Sequence, residues 1–196
     1  MALKVVIATR NRGKISEIKT ILKDLSLELL SLDDFPQIKL PPEEGNTFEE
    51  NALAKARYVA SITDLPALAD DSGLEVDALN GRPGVCSARY AGEGSTDREN
   101  YLKLLSELKG IGDRRARFRC VIAFVDPRKG DRTFEGVFEG VVAEAPRGHR
   151  GFGYDPVFLV PHKNRTVAEL TDGEKNSISH RAGALKRFRE WMEGAG

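Results

Sequence analysis

Two adjacent carboxylates, Asp70 and Asp71, stand at the end of an apolar run in the segment LPALADDSGLEVDAL, residues 65–79. Like charges repel, and moving a carboxylate out of water is costly, so a pair beside a buried strand needs compensation. A cation such as Mg²⁺ would supply it, because Mg²⁺ takes a few carboxylates, waters and phosphate oxygens. A polar turn would avoid the cost, because Asp, Ser and Gly are common turn residues. The segment alone leaves both interpretations open, although a continuing strand would send the two side chains to opposite faces.

A second acidic segment, PPEEGNTFEENA at residues 41–52, contains Glu43 and Glu44. Carboxylates from separate segments can converge on one hard cation. The Pro, Glu and Gly residues of this segment also fit a solvated loop. The segment is therefore a candidate source of a second metal ligand.

The segment ATRNRGK, residues 8–14, lies where a strand is expected to end and a helix to begin. A helix N-terminus offers unpaired backbone N–H groups and a positive dipole end, which suit phosphate. Thr9 and Asn11 could add hydrogen bonds, and Lys14 a positive charge. The segment is not a Walker A loop, because the first glycine is absent and Ile15 follows the lysine. An ordinary strand-to-helix turn with a solvated basic face is the competing interpretation.

Glycines flank two aromatic residues in GFGYDP, residues 151–156. Such a loop could bring Phe152 or Tyr154 against a planar ring, and a purine has the required π-face. By itself the pattern fits a structural aromatic turn equally well.

The segment EKNSISHRA, residues 174–182, places His180 and Arg181 directly after Ser179, a favourable N-cap residue. Cationic groups are disfavoured in the first turn of a helix, and a bound anion or base edge would offset that. Arg181 could make two parallel hydrogen bonds to an oxyanion or a base carbonyl. The alternative is a surface helix start with a neutral His180.

The elements that position these residues mix strands and helices without a strict βαβ rhythm. Strands are expected at residues 3–8, 27–32, 116–126, 132–146 and 157–160, with a hairpin around 71–73. Helices are expected at residues 13–25, at 47–62, after Thr96 and from about Ser179. Thr47 with Glu50, and Thr96 with Glu99, have capping-box spacing. The pattern predicts an α/β protein with a mixed sheet, long antiparallel strands and a single domain over 1–196.

Composition excludes several classes of protein. The 196 residues are 40% hydrophobic and 31% charged, which is typical of a globular chain with a substantial core. Thirty basic residues balance thirty acidic ones, which argues against a nucleic-acid partner. Only Cys86 and Cys120 are present, so a disulfide framework or Cys-based zinc site is not expected. No segment resembles a signal peptide or reaches membrane-spanning length, so we expect a cytoplasmic protein without a membrane partner.

Together these segments resemble one family. ATRNRGK, TFEENALAKA, ADDSGLEVDAL, SARY, GFGYDPVF and EKNSISHR occur in the order seen in the Ham1/RdgB family of inosine triphosphate (dITP/XTP) pyrophosphatases. The resemblance extends from Lys4 to about Leu185. It implies flanking helices and two lobes around a nucleotide cleft, a homodimer and dependence on Mg²⁺. The implied partner is a purine nucleoside triphosphate, hydrolysed at the α-phosphorus to the monophosphate and pyrophosphate.

The resemblance also assigns roles to residues. It makes Asp71 both the catalytic proton acceptor and a metal ligand, with Glu43 as the preferred second ligand and Glu44 left open. Its phosphate-binding segment corresponds to Thr9, Arg10, Asn11, Arg12, Gly13 and Lys14, and its substrate-contacting serine to Ser72. Its base-recognition residues correspond to Phe152, Gly153, Tyr154, Asp155, Lys175, His180 and Arg181. Arg10 departs from the family pattern, where glycine is common, so its side chain should point away from the phosphates or add a contact.

Two other functions use the same residues. A magnesium phosphohydrolase that releases orthophosphate would also need an acidic pair and a basic loop. A non-catalytic nucleotide- or RNA-binding module would use the arginines at positions 114, 115, 117 and 119. The ordered base-type segments argue against the first alternative, and the balanced charge argues against the second.

Overall fold

The computed structural model describes residues 2–194. Within them the helices are α1 (Arg12–Ile21), α2 (Phe48–Thr63), α3 (Asp97–Glu107), α4 (Asp172–Ile178) and α5 (His180–Gly194). The strands are β1 (Leu3–Ile7), β2 (Leu27–Ser31), β3 (Ala67–Val76), β4 (Arg115–Asp126), β5 (Gly130–Val142), β6 (Phe158–Val160) and β7 (Arg165–Thr166). In this part of the chain no helix combines the length and apolarity that crossing a membrane requires.

The strands of the described residues form one seven-stranded sheet in the order β2-β1-β3-β4-β5-β6-β7. β1 runs parallel to β2 and to β3, whereas β6 runs antiparallel to β5 and to β7. The predicted α/β class with a mixed sheet is therefore confirmed.

The chain divides into two compact units, and three strands contribute to both. The first unit is built from the segment that ends at Asp71, from Cys120–Gly136 and from the segment that begins at His180. The second unit comprises Ser72–Arg119 and Val137–Ser179. The single domain expected over 1–196 stays a prediction.

The core of the first unit joins α1 and α5 to the strands. Apolar residues at helical spacing on both helices meet alternating residues of the strands, as the two periodicities require. The buried members are Val5, Ile7, Ile18, Leu22, Leu68, Cys120, Ile122, Phe124, Ala184, Leu185 and Phe188. This packing holds the second half of α1 through Ile18 and Leu22, and the first part of β3 through Leu68.

The core of the second unit is richer in aromatic side chains. Phe118 and Phe158 lie with ring centroids 4.4 Å apart. Leu104 and Leu108 bring the C-terminal part of α3 into the same cluster, which also contains Tyr154. The loop that follows residue 150 is therefore anchored in a packed core.

Helix starts follow the sequence signals closely. The capping boxes of Thr47 with Glu50 and of Thr96 with Glu99 are present at the starts of α2 and α3. Thr171 and Glu174 form a further one at α4, a helix that the sequence did not predict.

The hairpin predicted around residues 71–73 is wrong, because β3 continues through them as a ten-residue strand. A turn would have kept the carboxylates of Asp70 and Asp71 exposed to water. Both are buried in the strand instead, because ionic partners compensate their charges. Beyond them the N–H of Leu74 donates to Oγ of Ser87 at 2.9 Å, which holds the strand in place.

Candidate active site

Asp71 is placed on β3 and faces α2. Its Oδ2 accepts a hydrogen bond from Nδ2 of Asn51 at 3.2 Å, and its Oδ1 lies 3.1 Å from Nζ of Lys55. Asn51 and Lys55 are four residues apart, so they lie on the same face of α2. Asp71 is 5% exposed, and both α2 side chains are buried.

The ammonium of Lys55 joins three oxygens. It donates to Oε1 of Glu43 at 2.5 Å, to the main-chain oxygen of Asp70 at 2.8 Å and to Oδ1 of Asp71 at 3.1 Å. Two carboxylates from separate segments thus converge on the ammonium of Lys55. The sequence predicted that these segments would converge on a metal ion, and that role stays a prediction. Glu44 is exposed.

Asn51 also fixes the loop that carries Glu43. Its Oδ1 accepts the N–H of Gly45 at 2.8 Å, while its Nδ2 donates to Asp71. A Cβ at position 45 would lie 2.6 Å from that oxygen, so the loop needs glycine to approach α2 this closely. The amide of Asn51 therefore bonds to both acidic segments and links the loop of Glu43 to Asp71.

The two carboxylates respond differently to their surroundings. Burial and the nearby charge of Glu43 raise the pKa of Asp71 to about 6, although the ammonium of Lys55 acts in the opposite direction. Burial also raises the pKa of Glu43, but Lys55 outweighs it and brings that pKa below its ordinary value. The pKa of Lys55 is raised despite burial, because both carboxylates favour its charged form. A carboxylate with a raised pKa, a carboxylate with a lowered pKa and a charged ammonium thus lie side by side.

The donor set suits Mg²⁺ better than a metal that needs a closed protein cage. Among residues 2–194, no group of three or more His, Cys, Asp or Glu side chains is arranged to hold a metal ion. Asp71 and Glu43 offer two carboxylates, and Mg²⁺ commonly takes one or two together with waters and substrate phosphates. These two carboxylates therefore fit a magnesium ion that takes its remaining ligands from water or phosphate.

Asp70 faces the opposite way from Asp71, as the alternation of a strand requires. Its Oδ2 accepts from Nε of Arg181 and from Sγ of Cys120, both at 3.0 Å, and its Oδ1 pairs with the ammonium of Lys14. The side chain is buried, which raises its pKa, but Arg181 and Lys14 hold the pKa of Asp70 well below its ordinary value. Asp70 is thus a permanent anion in an ionic network.

The start of α1 carries the predicted phosphate-binding segment. Asn11 caps the helix by accepting the N–H of Lys14 at 3.1 Å, and Oγ1 of Thr9 accepts the N–H of Asn11 at 3.2 Å. Gly13 is half-buried in the first turn and Arg12 is exposed. Arg10 donates to the main-chain oxygen of Ile38 at 2.8 Å, so its guanidinium is engaged away from the helix start.

The second unit assembles four of the predicted base-recognition residues. Nζ of Lys175 lies 4.4 Å from the ring centroid of Phe152 and donates to Oδ2 of Asp155 at 2.7 Å. The same Oδ2 accepts the N–H of Phe152 at 2.9 Å. Gly153 follows with a φ of +61°, a conformation that favours glycine. The half-buried ring of Phe152 is thus held beside a buried ion pair.

Tyr154 has a structural position. It is 4% exposed, belongs to the core of the second unit and donates its hydroxyl to the main-chain oxygen of Ser87 at 2.8 Å. Burial raises its pKa, so Tyr154 stays a neutral donor. Ser72, the predicted substrate contact, is half-buried on β3 directly after Asp71.

His180 and Arg181 begin α5 in the first unit. Arg181 is 1% exposed; its Nε donates to Asp70, and its Nη1 donates to Glu17 of α1. The backbone around His180 packs closely on β5, where a Cβ at Gly136 would overlap the His180 carbonyl oxygen. His180 and Arg181 therefore belong to the first unit, whereas Phe152 and Lys175 belong to the second.

The Ham1 family model matches residues 5–191. The chain belongs to the Ham1 family. The resemblance inferred from the ordered segments is confirmed.

Relatives of this family are similar over nearly the full length. A dITP/XTP pyrophosphatase of Geobacter sulfurreducens is 53% identical over 191 residues, covering 96% of both chains. A dITP/XTP pyrophosphatase of Bacillus subtilis is 51% identical over 192 residues, covering 97% of both.

Solved structures of Ham1 proteins share the fold. The Ham1 protein of Coxiella burnetii superposes with a TM-score of 0.90 at 45% identity, covering 98% of this chain and 99% of that one. The Staphylococcus aureus Ham1 protein gives a TM-score of 0.89 at 42% identity, covering 98% and 100%.

Sequence reasoning missed Asn51 and Lys55. The available signal was their position: the capping box of Thr47 sets the phase of α2, and both polar residues fall on the buried face with Ala52 and Ala56. Polar side chains on the apolar face of a helix need partners, and the acidic segments that carry Glu43 and Asp71 were the available candidates.

Proposed function

We propose that this chain hydrolyses noncanonical purine nucleoside triphosphates, such as ITP, dITP and XTP, to the nucleoside monophosphate and pyrophosphate. Relatives about 50% identical over nearly the whole chain carry the name dITP/XTP pyrophosphatase. The observation that carries the proposal is the buried carboxylate of Asp71, with a pKa of about 6, beside Glu43 and Lys55.

Asp71 is the proposed proton acceptor. A general base works best when its pKa lies near the working pH, and burial brings this carboxylate closer to neutrality than an ordinary aspartate. It would take a proton from the water that attacks the α-phosphorus, with pyrophosphate as the leaving group. Asn51 and Lys55 orient the carboxylate through its two oxygens.

Mg²⁺ is the proposed cofactor, with Asp71 and Glu43 as its protein ligands. When bound, the ion would neutralise phosphate charge and lower the pKa of coordinated water. Lys55 keeps the two carboxylates together before the substrate arrives, because its ammonium contacts both. Such preorganisation lowers the reorganisation required on binding.

The triphosphate is proposed to bind at the start of α1. The helix N-terminus provides backbone N–H groups, and Asn11, Thr9 and Lys14 add polar or charged side chains. Arg10, Arg12, Gly13 and Ser72 complete the predicted substrate-binding set. The capping contacts of Thr9 and Asn11 give this turn a defined backbone, which supports an anion-binding role.

The base is proposed to stack on Phe152, and Gly153, Tyr154, Asp155, Lys175, His180 and Arg181 complete the predicted base-recognition set. Hypoxanthine and xanthine carry a 6-oxo group where adenine carries an amino group. A donor in this set such as His180 would pair with the oxo group, and an unpaired buried donor opposite adenine would cost about 1–3 kcal/mol. The Lys175 and Asp155 pair supports the position of Phe152 from below its ring.

The proposal includes a homodimer in the cytoplasm that acts on a small molecule rather than on nucleic acid or a membrane. The equal number of 30 basic and 30 acidic residues supports the absence of a nucleic-acid partner. Light scattering after size-exclusion chromatography measures the mass of the assembly, and a monomeric mass would reject the dimer.

One experiment separates this function from its rivals. The protein is incubated with ATP, GTP, ITP, XTP or dITP in the presence of Mg²⁺, and pyrophosphate and orthophosphate are assayed separately. We expect pyrophosphate from ITP, XTP and dITP and little product from ATP. Release of orthophosphate alone would identify a phosphatase, and binding without turnover would identify a nucleotide-binding module.

A further inference from the structure

The loop of residues 151–155 is held by a carboxylate far away in the chain. The N–H of Phe152 donates to Oδ2 of Asp155 at 2.9 Å, and the next N–H, that of Gly153, donates to Oδ2 of Asp97 at 2.7 Å. Asp155 belongs to the loop itself, whereas Asp97 is 56 residues earlier, on the first turn of α3. Both residues belong to the second unit.

The loop needs such an external contact because its own sequence does not fix its shape. Gly151 and Gly153, on either side of Phe152, have φ angles of +76° and +61°. Glycine visits positive and negative φ about equally, so an unrestrained Gly-Phe-Gly segment samples many conformations. A carboxylate that accepts the Gly153 N–H selects the one in which the Phe152 ring lies against Lys175.

The position of Asp97 is itself rigid. Thr96 and Glu99 close a capping box around the start of α3. The buried Asn100, one turn further, accepts the N–H of Ala91 at 2.7 Å and donates to the main-chain oxygen of Ala88 at 3.1 Å. Leu104 and Leu108 anchor the helix in the core. The Asp97 carboxylate is therefore exposed but presented by an ordered turn.

The C-terminal end of the loop has a contact of its own, so Asp97 is needed only for the part that carries Phe152. Tyr154 is fixed by its buried ring and its hydrogen bond to Ser87. Residues 154 and 155 are thus held by the core and by Lys175. Gly153 lies between this fixed end and Phe152, and its N–H donates to the carboxylate of Asp97.

We propose that Asp97 is a positioning residue that fixes loop 151–155 and so sets the affinity of the enzyme for the purine base. The proposal rests on the function proposed above, in which Phe152 stacks on the base. Asp97 acts through the backbone of Gly153 and does not contact the substrate. Loss of its acceptor would release Phe152 and weaken binding of the base, while the Asp71 site keeps its geometry.

A carboxylate at the start of a helix also interacts favourably with the helix dipole, which is the competing explanation for Asp97. Two variants separate the roles. Asp97→Asn keeps an acceptor oxygen and removes the charge, whereas Asp97→Ala removes both. Glu99→Ala is the matched control, because it opens the capping box of the same helix without touching Gly153.

The Michaelis constant for ITP gives the first readout. Asp97→Ala should raise it about three- to tenfold, the range expected for one lost hydrogen bond, with kcat within about twofold. Asp97→Asn should stay close to wild type, and Glu99→Ala should not change it. An unchanged constant in Asp97→Ala, or an equal rise in Glu99→Ala, would overturn the proposal. So would an equal rise in Asp97→Asn, because charge alone would then explain the effect.

Inhibition by inorganic tripolyphosphate localises the effect. This probe has the phosphates of the substrate and no base, so Asp97→Ala should leave its inhibition constant unchanged. A parallel loss of tripolyphosphate affinity would mean that Asp97 acts on the phosphate site, against the proposal.

Amide hydrogen exchange at Gly153 tests the positioning contact without any turnover. Exchange should be faster in Asp97→Ala than in wild type and unchanged in Glu99→Ala. If the wild-type protein failed to hydrolyse ITP, the proposed function would fail while this readout still reported on the contact. Equal exchange at Gly153 in all the proteins would reject the positioning role itself.

Discussion

Nζ of Lys55 lies 3.1 Å from Oδ1 of Asp71, on a buried surface where α2 faces β3. The same ammonium contacts Glu43 at 2.5 Å, so one cation compensates two carboxylates. The site is thus assembled around a protein cation, and the aspartate with the raised pKa is the one that this cation orients.

Asp71→Asn should abolish most turnover and leave the fold intact. The amide is nearly isosteric and still accepts from Lys55, but it cannot take a proton from water. We expect kcat for ITP to fall by about 10²–10⁴, the usual contribution of a general base. Pyrophosphate release measures the rate, and circular dichroism checks the fold. Asp24→Asn, on the exposed turn after α1, is the control, and near-normal turnover by Asp71→Asn would remove Asp71 from the base role.

Lys55→Met should make the protein depend on divalent cations for stability. Removing the ammonium leaves the buried Asp71 and the half-buried Glu43 without their shared cation, and breaking a buried ion pair from one side costs up to about 3–5 kcal/mol. Because a bound cation stabilises only the folded state, added Mg²⁺ should raise the melting temperature more in Lys55→Met than in wild type. The comparison uses NaCl at equal ionic strength, and equal shifts in both proteins would contradict a cation site at this carboxylate pair.

Lys14→Ala should weaken binding of the triphosphate more than catalysis. Its ammonium pairs with the buried Asp70 at the start of α1, beside the N–H groups proposed to bind phosphate. We expect the Michaelis constant for ITP to rise about tenfold, equivalent to ~1.4 kcal/mol, with a smaller change in kcat. Lys19→Ala, exposed on the same helix, is the matched control. A constant equal to wild type would place Lys14 outside the phosphate site.

The parts of the fold that sequence predicted well are those with local causes. Capping residues at Thr47 and Thr96 mark helix starts, and the apolar alternation in β4 marks a strand, because these signals arise within a few residues. The hairpin at 71–73 was wrong for the opposite reason. Asp-Asp-Ser-Gly has turn composition, but partners distant in the chain keep the strand straight.

In the candidate site, too, the features with local causes were predicted and those that depend on distant residues were not. The separation of Asp70 from Asp71 followed from strand alternation and is seen in their different partners. Arg181 contacts Asp70 across 111 positions in the chain, and no periodicity links residues so far apart. Lys55 was missed because it resembles any lysine of an amphipathic helix until the strand that faces it is known.

Tyr90→Phe should lower stability in a way that depends on pH. The hydroxyl of Tyr90 donates to Oε2 of Glu107 at 2.5 Å, and burial together with this carboxylate raises the pKa of Tyr90 to about 12. A raised pKa favours the neutral phenol in the folded state, so the stabilisation is complete below the unfolded pKa of about 10 and is lost as pH rises through about 12. Urea unfolding should show a wild-type advantage of about 1 kcal/mol near neutral pH that shrinks across this window. The dependence should weaken in a Glu107→Gln background, where burial alone still raises the pKa of Tyr90, and parallel curves for wild type and Tyr90→Phe would refute the contact.

Gly136→Ala should displace the start of α5, because the added Cβ would overlap the carbonyl oxygen of His180 and lie 2.5 Å from the N–H nitrogen of Ala184. Both are backbone atoms of a helix, so relief requires movement of the helix that carries His180 and Arg181. We expect a loss of about 1–3 kcal/mol in the free energy of unfolding, as in other overpacked sites, with a rise in the Michaelis constant for ITP. Gly183→Ala is the matched control: its Cβ would lie 3.7 Å from Cα of Gly136, an ordinary contact, and alanine is favoured over glycine inside a helix. The two alanine variants should therefore change stability in opposite directions, and equal urea midpoints would mean that β5 and α5 do not pack through these glycines.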